Sequence, residues 1–267
     1  MDLELKDKII IVTGASKGIG LATVHRLVGE GARVVAVSRG RSADLDGLEG
    51  RVRHVAVDLA QPDGPAEAVA ATERAFGRVD AVINNAGGPP PGTRMPVFGF
   101  LGRDDADWQA MIEFNLLSVV RLCRAAIPLL LAGGGGSIVN VTSTHALVPS
   151  AVNVDYGAAK AALRNLSRAL AEEFGPQGVR VNTVTPGPVL TPWWTEPGGA
   201  ADVLAEQSGR SAEEVIEDLA PRSMALLSGR LARPEEVADA IALLCSPRSG
   251  STVGAELVVD GGMVKTV

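Results

Sequence analysis

Tyr156 and Lys160 stand four residues apart in Tyr156-Gly157-Ala158-Ala159-Lys160, and on a helix residues four apart share a face. A phenol and an ammonium in one space make an acid/base pair, because the cation favours phenolate and lowers a pKa that starts at about 10. Tyr156 is the single tyrosine and Lys160 one of five lysines, so an ordinary core Tyr with a chance Lys at this spacing is the weaker alternative. Thirteen residues earlier Ser143 follows an apolar run. A hydroxyl there donates to a substrate oxygen as negative charge develops on it, or serves only as a turn or cap residue. Asn115 lies within a helical pattern, where asparagine is a poor helix former; it is either solvated or buried with its amide bonded.

A second constellation is Thr13-Gly14-Ala15-Ser16-Lys17-Gly18-Ile19-Gly20. Glycines here permit a tight turn and let backbone amides approach a pyrophosphate at the N-terminus of the next helix. Glycines kept for turn geometry alone are the plainer alternative. The placement after an Ile/Val run and before a helical pattern favours nucleotide binding. Three residues separate Gly14 from Gly18, so this is not the common GxGxxG, and no Gly-Lys-Ser or Gly-Lys-Thr makes it a Walker loop. Asn84-Asn85-Ala86-Gly87 reads equally as a turn or as backbone that meets a cofactor.

These residues need elements to position them. β-rich apolar runs recur at 8–13, 33–37, 52–57, 79–84, 137–142, 179–184 and 256–259, separated by helical periods that include 19–30, 65–76, 106–131, 158–174 and 234–245. Such alternation specifies an α/β fold, a parallel sheet with helices on both faces. The runs are apolar on both sides, as buried parallel strands are. No linker, charge block or repeat divides the chain, so one domain over 1–267 is expected. The alternation breaks at 88–102 and at the irregular stretch 186–222; both follow strands, where an open α/β sheet has its ligand crevice.

Composition excludes several classes. With 25 Lys+Arg against 31 Asp+Glu the net charge is −6, which offers no footprint for nucleic acid or anionic lipid. Hydrophobic residues at 46% and charged ones at 21% match globular rather than disordered chains. Cys123 and Cys245 form no CxxC, and His25, His54 and His145 have no metal spacing, so no metal is expected. The first eight residues lack the apolar core of a signal peptide. The uncharged stretch 125–154 contains Pro128 and four glycines from Gly133 to Gly136, which rules it out as a membrane helix. A soluble, cytoplasmic protein is expected.

Together these motifs, with Asp58 and Pro186-Gly187, resemble the short-chain dehydrogenase/reductase family in its single-domain form, over about Lys6 to Met263. Each motif alone is weak, but the ordered set is specific. The resemblance implies a Rossmann-like, doubly wound sheet of seven parallel strands in the order 3-2-1-4-5-6-7. It also implies homodimers or homotetramers packed through the two long helices. It assigns catalysis to Asn115, Ser143, Tyr156 and Lys160. Tyr156 protonates a carbonyl or deprotonates an alcohol, and Ser143 polarises the substrate oxygen. Lys160 tunes Tyr156 and holds the nicotinamide ribose, while Asn115 shapes the helix around a proton-relaying water. The implied cofactor contacts are Gly14, Ser16, Lys17, Gly18, Ile19, Gly20, Ser38, Arg39, Asp58, Leu59, Asn85, Ala86, Gly87, Tyr156, Lys160, Pro186, Gly187, Val189 and Thr191. A non-catalytic nucleotide-binding regulator on the same fold would not need the Ser143, Tyr156 and Lys160 set. An epimerase or dehydratase of the extended relatives would need more chain after the run ending at Val184.

An acidic residue about 20 positions beyond the glycines selects NAD through the ribose 2′-hydroxyl. Here the run 33–37 ends in Ser38-Arg39. Arg39 can pair a 2′-phosphate through two parallel charge-assisted bonds, and Lys17 adds positive charge from the other side. Solvated Arg39 and Arg41 beside a turn serine are the alternative, and with them an NAD-dependent alcohol dehydrogenase. NADP(H) is the expected cofactor and ketone reduction the expected direction. Candidate substrate walls are 89–100, His145, Val148, Asn153, Val189, Trp193 and Trp194, which fit a mainly apolar carbonyl compound. The two tryptophans serve equally as loop anchors, and His145 as a structural residue. Gly88-Pro89-Pro90-Pro91-Gly92 departs from the pattern in the family's ketoacyl-carrier reductases, which argues against an acyl-carrier substrate.

Overall fold

The first strand, β1 (Ile9–Thr13), is buried along its whole length, as a β-branched run covered on both faces must be. This computed structural model describes every residue except Glu49, Pro91, Arg94, Met95, Thr266 and Val267. Pro91, Arg94 and Met95, expected in the substrate wall, therefore lie outside the described residues. After β1 come α1 (Gly18–Gly29), β2 (Arg33–Ser38), β3 (Val52–Ala56), α2 (Gly64–Phe76) and β4 (Ala81–Asn84). The next elements are α3 (Asp105–Ile112), α4 (Ser118–Ala132), β5 (Gly136–Val141), α5 (Val154–Phe174) and β6 (Val179–Pro186). Short helices α6 (Pro192–Thr195), α7 (Ala200–Ser208), α8 (Ala212–Glu214) and α9 (Ala220–Ser223) precede α10 (Pro234–Cys245) and β7 (Glu256–Val259).

Among the described residues the strands form one parallel seven-stranded sheet, ordered β3-β2-β1-β4-β5-β6-β7. This is the Rossmann-like order that the resemblance implied. Alternate strand residues feed opposite cores, because strand side chains have period two. Ile10, Val12, Val34 and Ile83 join Val24 and Leu27 of α1 and Val237 and Ile241 of α10. Ile11, Val35, Val82 and Ile138 join Ala68 of α2, Leu122 and Leu130 of α4 and Leu163 of α5. The order reverses between β1 and β4, which opens the crevice at their carboxyl ends.

Two expectations need correction and a third gains detail. The helical pattern 106–131 is continuous over 105–132 but not α throughout: α3, whose N-terminus carries a reciprocal Asp104–Asp107 capping box, passes through a π turn at Glu113–Leu117 into α4. Helix α5 starts at Val154, ahead of the expected 158, because Asn153 takes a left-handed φ of 55° and Asp155 lies in the favourable first turn. The stretch 186–222 is largely helical rather than irregular, and Trp194, Ala200, Ala201, Val215 and Leu231 form a small core of its own. Residues 105–132 are long and apolar enough to cross a membrane by composition. They lie against the sheet, with Val119, Leu122, Ala126 and Leu130 in the core.

Candidate active site

A cavity of about 1130 Å³ runs along the carboxyl ends of the central strands. Its floor is laced together by Thr13. The Thr13 hydroxyl accepts from the amides of Asn85 (3.0 Å) and Ala86 (2.9 Å) and donates to the Ile83 carbonyl. Asn85 Nδ2 donates to the Thr13 carbonyl. Helix α1 begins at the cavity with no acidic residue in its first turn and no side-chain cap. Its leading amides are therefore open to an anion, as helix N-termini are. A Cβ on Gly20 would sit 2.1 Å from the Gly14 carbonyl, so this turn requires glycine. A Cβ on Gly87 would lie 2.7 Å from Lys160 Nζ and 2.9 Å from Asn115 Oδ1, within the space that a flat ligand over the lysine would use. These features fit a dinucleotide.

Every residue expected to touch the cofactor lines this cavity. At one end are Ser38, Arg39, Asp58 and Leu59. The Ser38 hydroxyl donates to the Gly40 carbonyl (2.9 Å), so the His54 contact at 3.0 Å has His54 Nε2 as donor. Arg39 is exposed and has no hydrogen bond or ion pair among the described residues. Arg41 donates to Asp46. Lys17 departs from expectation. Its Nζ is held by both carboxylate oxygens of Glu196 (2.8 and 3.0 Å), which ties the glycine loop to the end of α6.

Tyr156 and Lys160, on α5, and Ser143, at the end of β5, line the middle of the cavity. Lys160 is buried, donates to the Val141 carbonyl at 3.0 Å, and its Nζ lies 5.7 Å from the Tyr156 ring centroid. Burial pushes the lysine down to about 8. Burial pushes the Tyr156 phenol up to about 12, against the Ser143 hydrogen bond that pulls it down. The expected lowering of Tyr156 by its cation does not appear: desolvation dominates, and the group that pulls the phenol down is Ser143. Asn115 is fully buried behind the wall. Its amide donates to the Gly88 and Met111 carbonyls, and its Oδ1 accepts from the Gly88 amide. This settles its sequence ambiguity in favour of a buried, bonded amide, held where the π turn displaces the helical bonding pattern.

The far end is walled by Pro89, Pro90, His145, Asn153, Val189, Trp193 and Trp194, as expected. Val148, Phe98 and Phe100 are exposed and do not line it. The tryptophans divide the two roles proposed for them. Trp194 is 2% exposed within the 186–222 core, whereas Trp193 packs with Tyr156 against Met111 and Ala159. His145 stands edge-on to Tyr156 at 5.9 Å, its pKa lowered by burial. Next to Tyr156, Asp155 is buried against Arg103, with Nε to Oδ2 at 3.2 Å.

Residues 14–264 match the family model described as Enoyl-(Acyl carrier protein) reductase. Cis-4-hydroxycyclohexanecarboxylate dehydrogenase of Sinomonas cyclohexanicum is 36% identical over 261 residues, 96% of each chain. The chain belongs to the short-chain dehydrogenase/reductase family. Another relative of this dehydrogenase/reductase is the A-factor type gamma-butyrolactone 1′-reductase (1S-forming) of Streptomyces virginiae, 35% identical over 266 residues, 97% of this chain and 96% of that one. The crystal structure of L-sorbose reductase from Gluconobacter frateurii, complexed with NADPH and L-sorbose, matches over 100% of both chains with a TM-score of 0.89 at 34% identity. As a family member this protein is an oxidoreductase of CH–OH and C=O groups.

Several residues of this short-chain dehydrogenase/reductase site escaped the sequence reading. Glu196, Met224 and Met263 line the cavity from distant parts of the chain. Met263 arrives there because the Asp260 carboxylate accepts from the amides of Gly262 (2.8 Å) and Val264 (2.7 Å), curling the chain end back. The Asp260-Gly261-Gly262 run is a turn signal visible in the sequence, but nothing local says where the turn delivers the next side chain.

Proposed function

We propose that this protein is an NADP(H)-dependent reductase of a mainly apolar ketone, built as one domain over 1–267 that holds cofactor and substrate together. The observation that carries the reading is the convergence of Ser143, Tyr156 and Lys160 in the cavity that the open N-terminus of α1 faces. The glycine loop from Gly14 to Gly20 would hold the pyrophosphate. Ser38 and Arg39 would hold the 2′-phosphate end and Asp58 the adenine. Lys160, Asn85 to Gly87, Pro186, Gly187, Val189 and Thr191 would hold the nicotinamide half. When bound, NADP(H) supplies or accepts the hydride.

The chain's own groups handle the proton. Tyr156 gives its Oη proton to the carbonyl oxygen in reduction and takes the alcohol proton in oxidation. Ser143 donates a hydrogen bond to the same oxygen as its charge grows. Lys160 places an ammonium under the phenol, and Asn115 keeps the Gly87–Gly88 backbone in the position that leaves room for Lys160. A cytoplasmic setting, with its reduced NADP pool, supports ketone reduction as the working direction. The long helices α4 and α5 support assembly as a homodimer or homotetramer.

The cofactor assignment rests on Arg39 and is tested by Ser38→Asp with Arg39→Leu. The measurement is kcat/KM with NADPH and with NADH. The double variant shifts preference towards NADH by about tenfold or more, the worth of a lost charge-assisted bond. A wild type that prefers NADH overturns the assignment.

A further inference from the structure

The substrate end of the cavity holds a polar side chain whose oxygen is fixed by a backbone amide and whose donor is unused among the described residues. Asn153 is 5% exposed, lines the cavity, and sits at the N-cap of α5, three residues before Tyr156. Its Oδ1 accepts from the Val97 amide at 2.8 Å, while its backbone N–H donates to the Val97 carbonyl at 2.9 Å. The oxygen of the side chain is thereby spent on Val97, which leaves Nδ2 as the uncommitted polar atom of a side chain that lines the cavity. Nδ2 has no hydrogen-bond partner among the described residues, and it is not among the atoms sealed from solvent. The residue also holds a left-handed φ of 55°, a conformation asparagine tolerates better than most side chains. Backbone strain of this kind persists where the surroundings fix it, and it clusters at functional sites.

A buried amide donor aimed at a ligand space discriminates by what it leaves unpaired. A substrate without an acceptor there strands the N–H groups, whereas one with an oxygen satisfies them. We propose that Asn153 Nδ2 is a second substrate-binding donor, and that the substrate is a ketone carrying a further acceptor oxygen. Three residues of helix rise about 4.5 Å, so the second oxygen lies a few bonds from the reacting carbonyl. Hydroxyketones, diones and keto esters have that form. This deepens the reading of the protein as a ketone reductase and rests on it. Apolar contact from Trp193, Met224 and Met263 then covers the carbon skeleton, and thioethers adapt to its shape.

The test compares matched ketones, methyl acetoacetate against 2-hexanone and cyclohexane-1,4-dione against cyclohexanone, with wild type, Asn153→Asp and Asn153→Gly. Aspartate keeps the acceptor for the Val97 amide and tolerates the backbone angle, but removes the donor. Glycine takes the angle without strain and removes the whole amide. The wild type is expected to favour the oxygen-bearing ketone of each pair by about tenfold or more in kcat/KM, chiefly through KM. In both variants that preference, read as the ratio of kcat/KM within each pair, shrinks to about threefold or less. No preference in the wild type, or one retained in either variant, overturns the proposal. If no ketone is turned over, the reductase reading fails. The donor role is then decided by ketone dissociation constants for wild type and Asn153→Asp, measured by saturation-transfer NMR with NADPH present, and equal values overturn it.

Discussion

Burial moves Tyr156 and Lys160 in opposite directions, the phenol up to about 12 and the ammonium down to about 8, because each is driven towards its neutral form. The proton lost at about 8 is therefore the lysine's, and the phenol keeps its own to higher pH. Alcohol oxidation needs the phenolate, so its kcat/KM rises as pH climbs towards the phenol's range, with a break at about 8 where the Lys160 ammonium is lost, and carbonyl reduction falls as the phenol is deprotonated. Lys160→Met removes the ammonium beside the phenol. The break at about 8 disappears, and activity at neutral to mildly alkaline pH falls by roughly a hundredfold, the usual worth of acid–base catalysis. A pH–rate profile that superimposes on wild type would remove Lys160 from the chemistry. For stability, the lysine's folded value lies below its ordinary 10.5, so between about 8 and 10.5 the unfolded chain holds more protons. The contribution of this group to stability therefore rises with pH across that window. Beside Tyr156, Arg103 and Asp155 are 8% and 0% exposed and paired at 3.2 Å, with Asp107 a second partner of Arg103 at 3.5 Å. Arg103→Met is expected to cost about 3–5 kcal/mol in urea unfolding, Asp155→Ala less because Arg103 keeps Asp107, and the double variant less than Arg103→Met alone, because breaking a buried pair leaves one charge uncompensated. Additive losses in the double variant would show that the two side chains act independently.

At the scale of elements, the short helices between Thr191 and Ser223 are docked on the glycine loop at two points. The Thr191 methyl lies where a Cβ on Gly18 would come within 3.3 Å, and Glu196 grips Lys17. The ion pair is exposed, 60% and 54% at its two side chains, so it adds little stability and acts as a movable catch. Glu196→Gln should free Lys17 for a 2′-phosphate. NADPH binding, read by fluorescence titration, is expected to tighten by about threefold, with NADH unchanged. The same variant should be cut faster within 186–222 in limited proteolysis. Equal change for both cofactors would place the effect in the loop rather than in Lys17. The two tryptophans of this segment separate by burial. Trp193→Ala should raise substrate KM while leaving NADPH affinity unchanged. Trp194→Ala should empty the segment's core and destabilise it by about 3–5 kcal/mol, seen as a loss of protection in hydrogen exchange confined to 186–222.

For the whole molecule, both thiols are sealed in the cores on either side of the sheet. Burial pushes Cys123 and Cys245 up to about 12, and the thiolate is the reactive form. Native protein should therefore resist a thiol reagent such as Ellman's at neutral pH and react at both cysteines once denatured; prompt labelling of the native form would contradict the burial. The strands and the helices α1, α2 and α10 were legible to within a few residues, because a covered parallel strand must be apolar on both faces and a covering helix on one. The placing of Ser143, Tyr156 and Lys160 was legible too, since spacing along a helix and a place at a strand end are local properties. Strand order entered through family resemblance, since the local pattern is the same for any order. What tertiary structure decided was everything set by encounters between distant segments. The π turn within 106–131 is invisible in a continuous apolar pattern, because Asn115 is turned inward by Gly88, far away in sequence. The stretch 186–222 is helical because its apolar residues found one another, although its prolines and glycines read as loop. Lys17 meets Glu196 across 179 positions, and Met263 reaches the cavity from the chain's far end. A local pattern specifies which face of an element is buried; which neighbour buries it is settled only when the whole chain closes on one core.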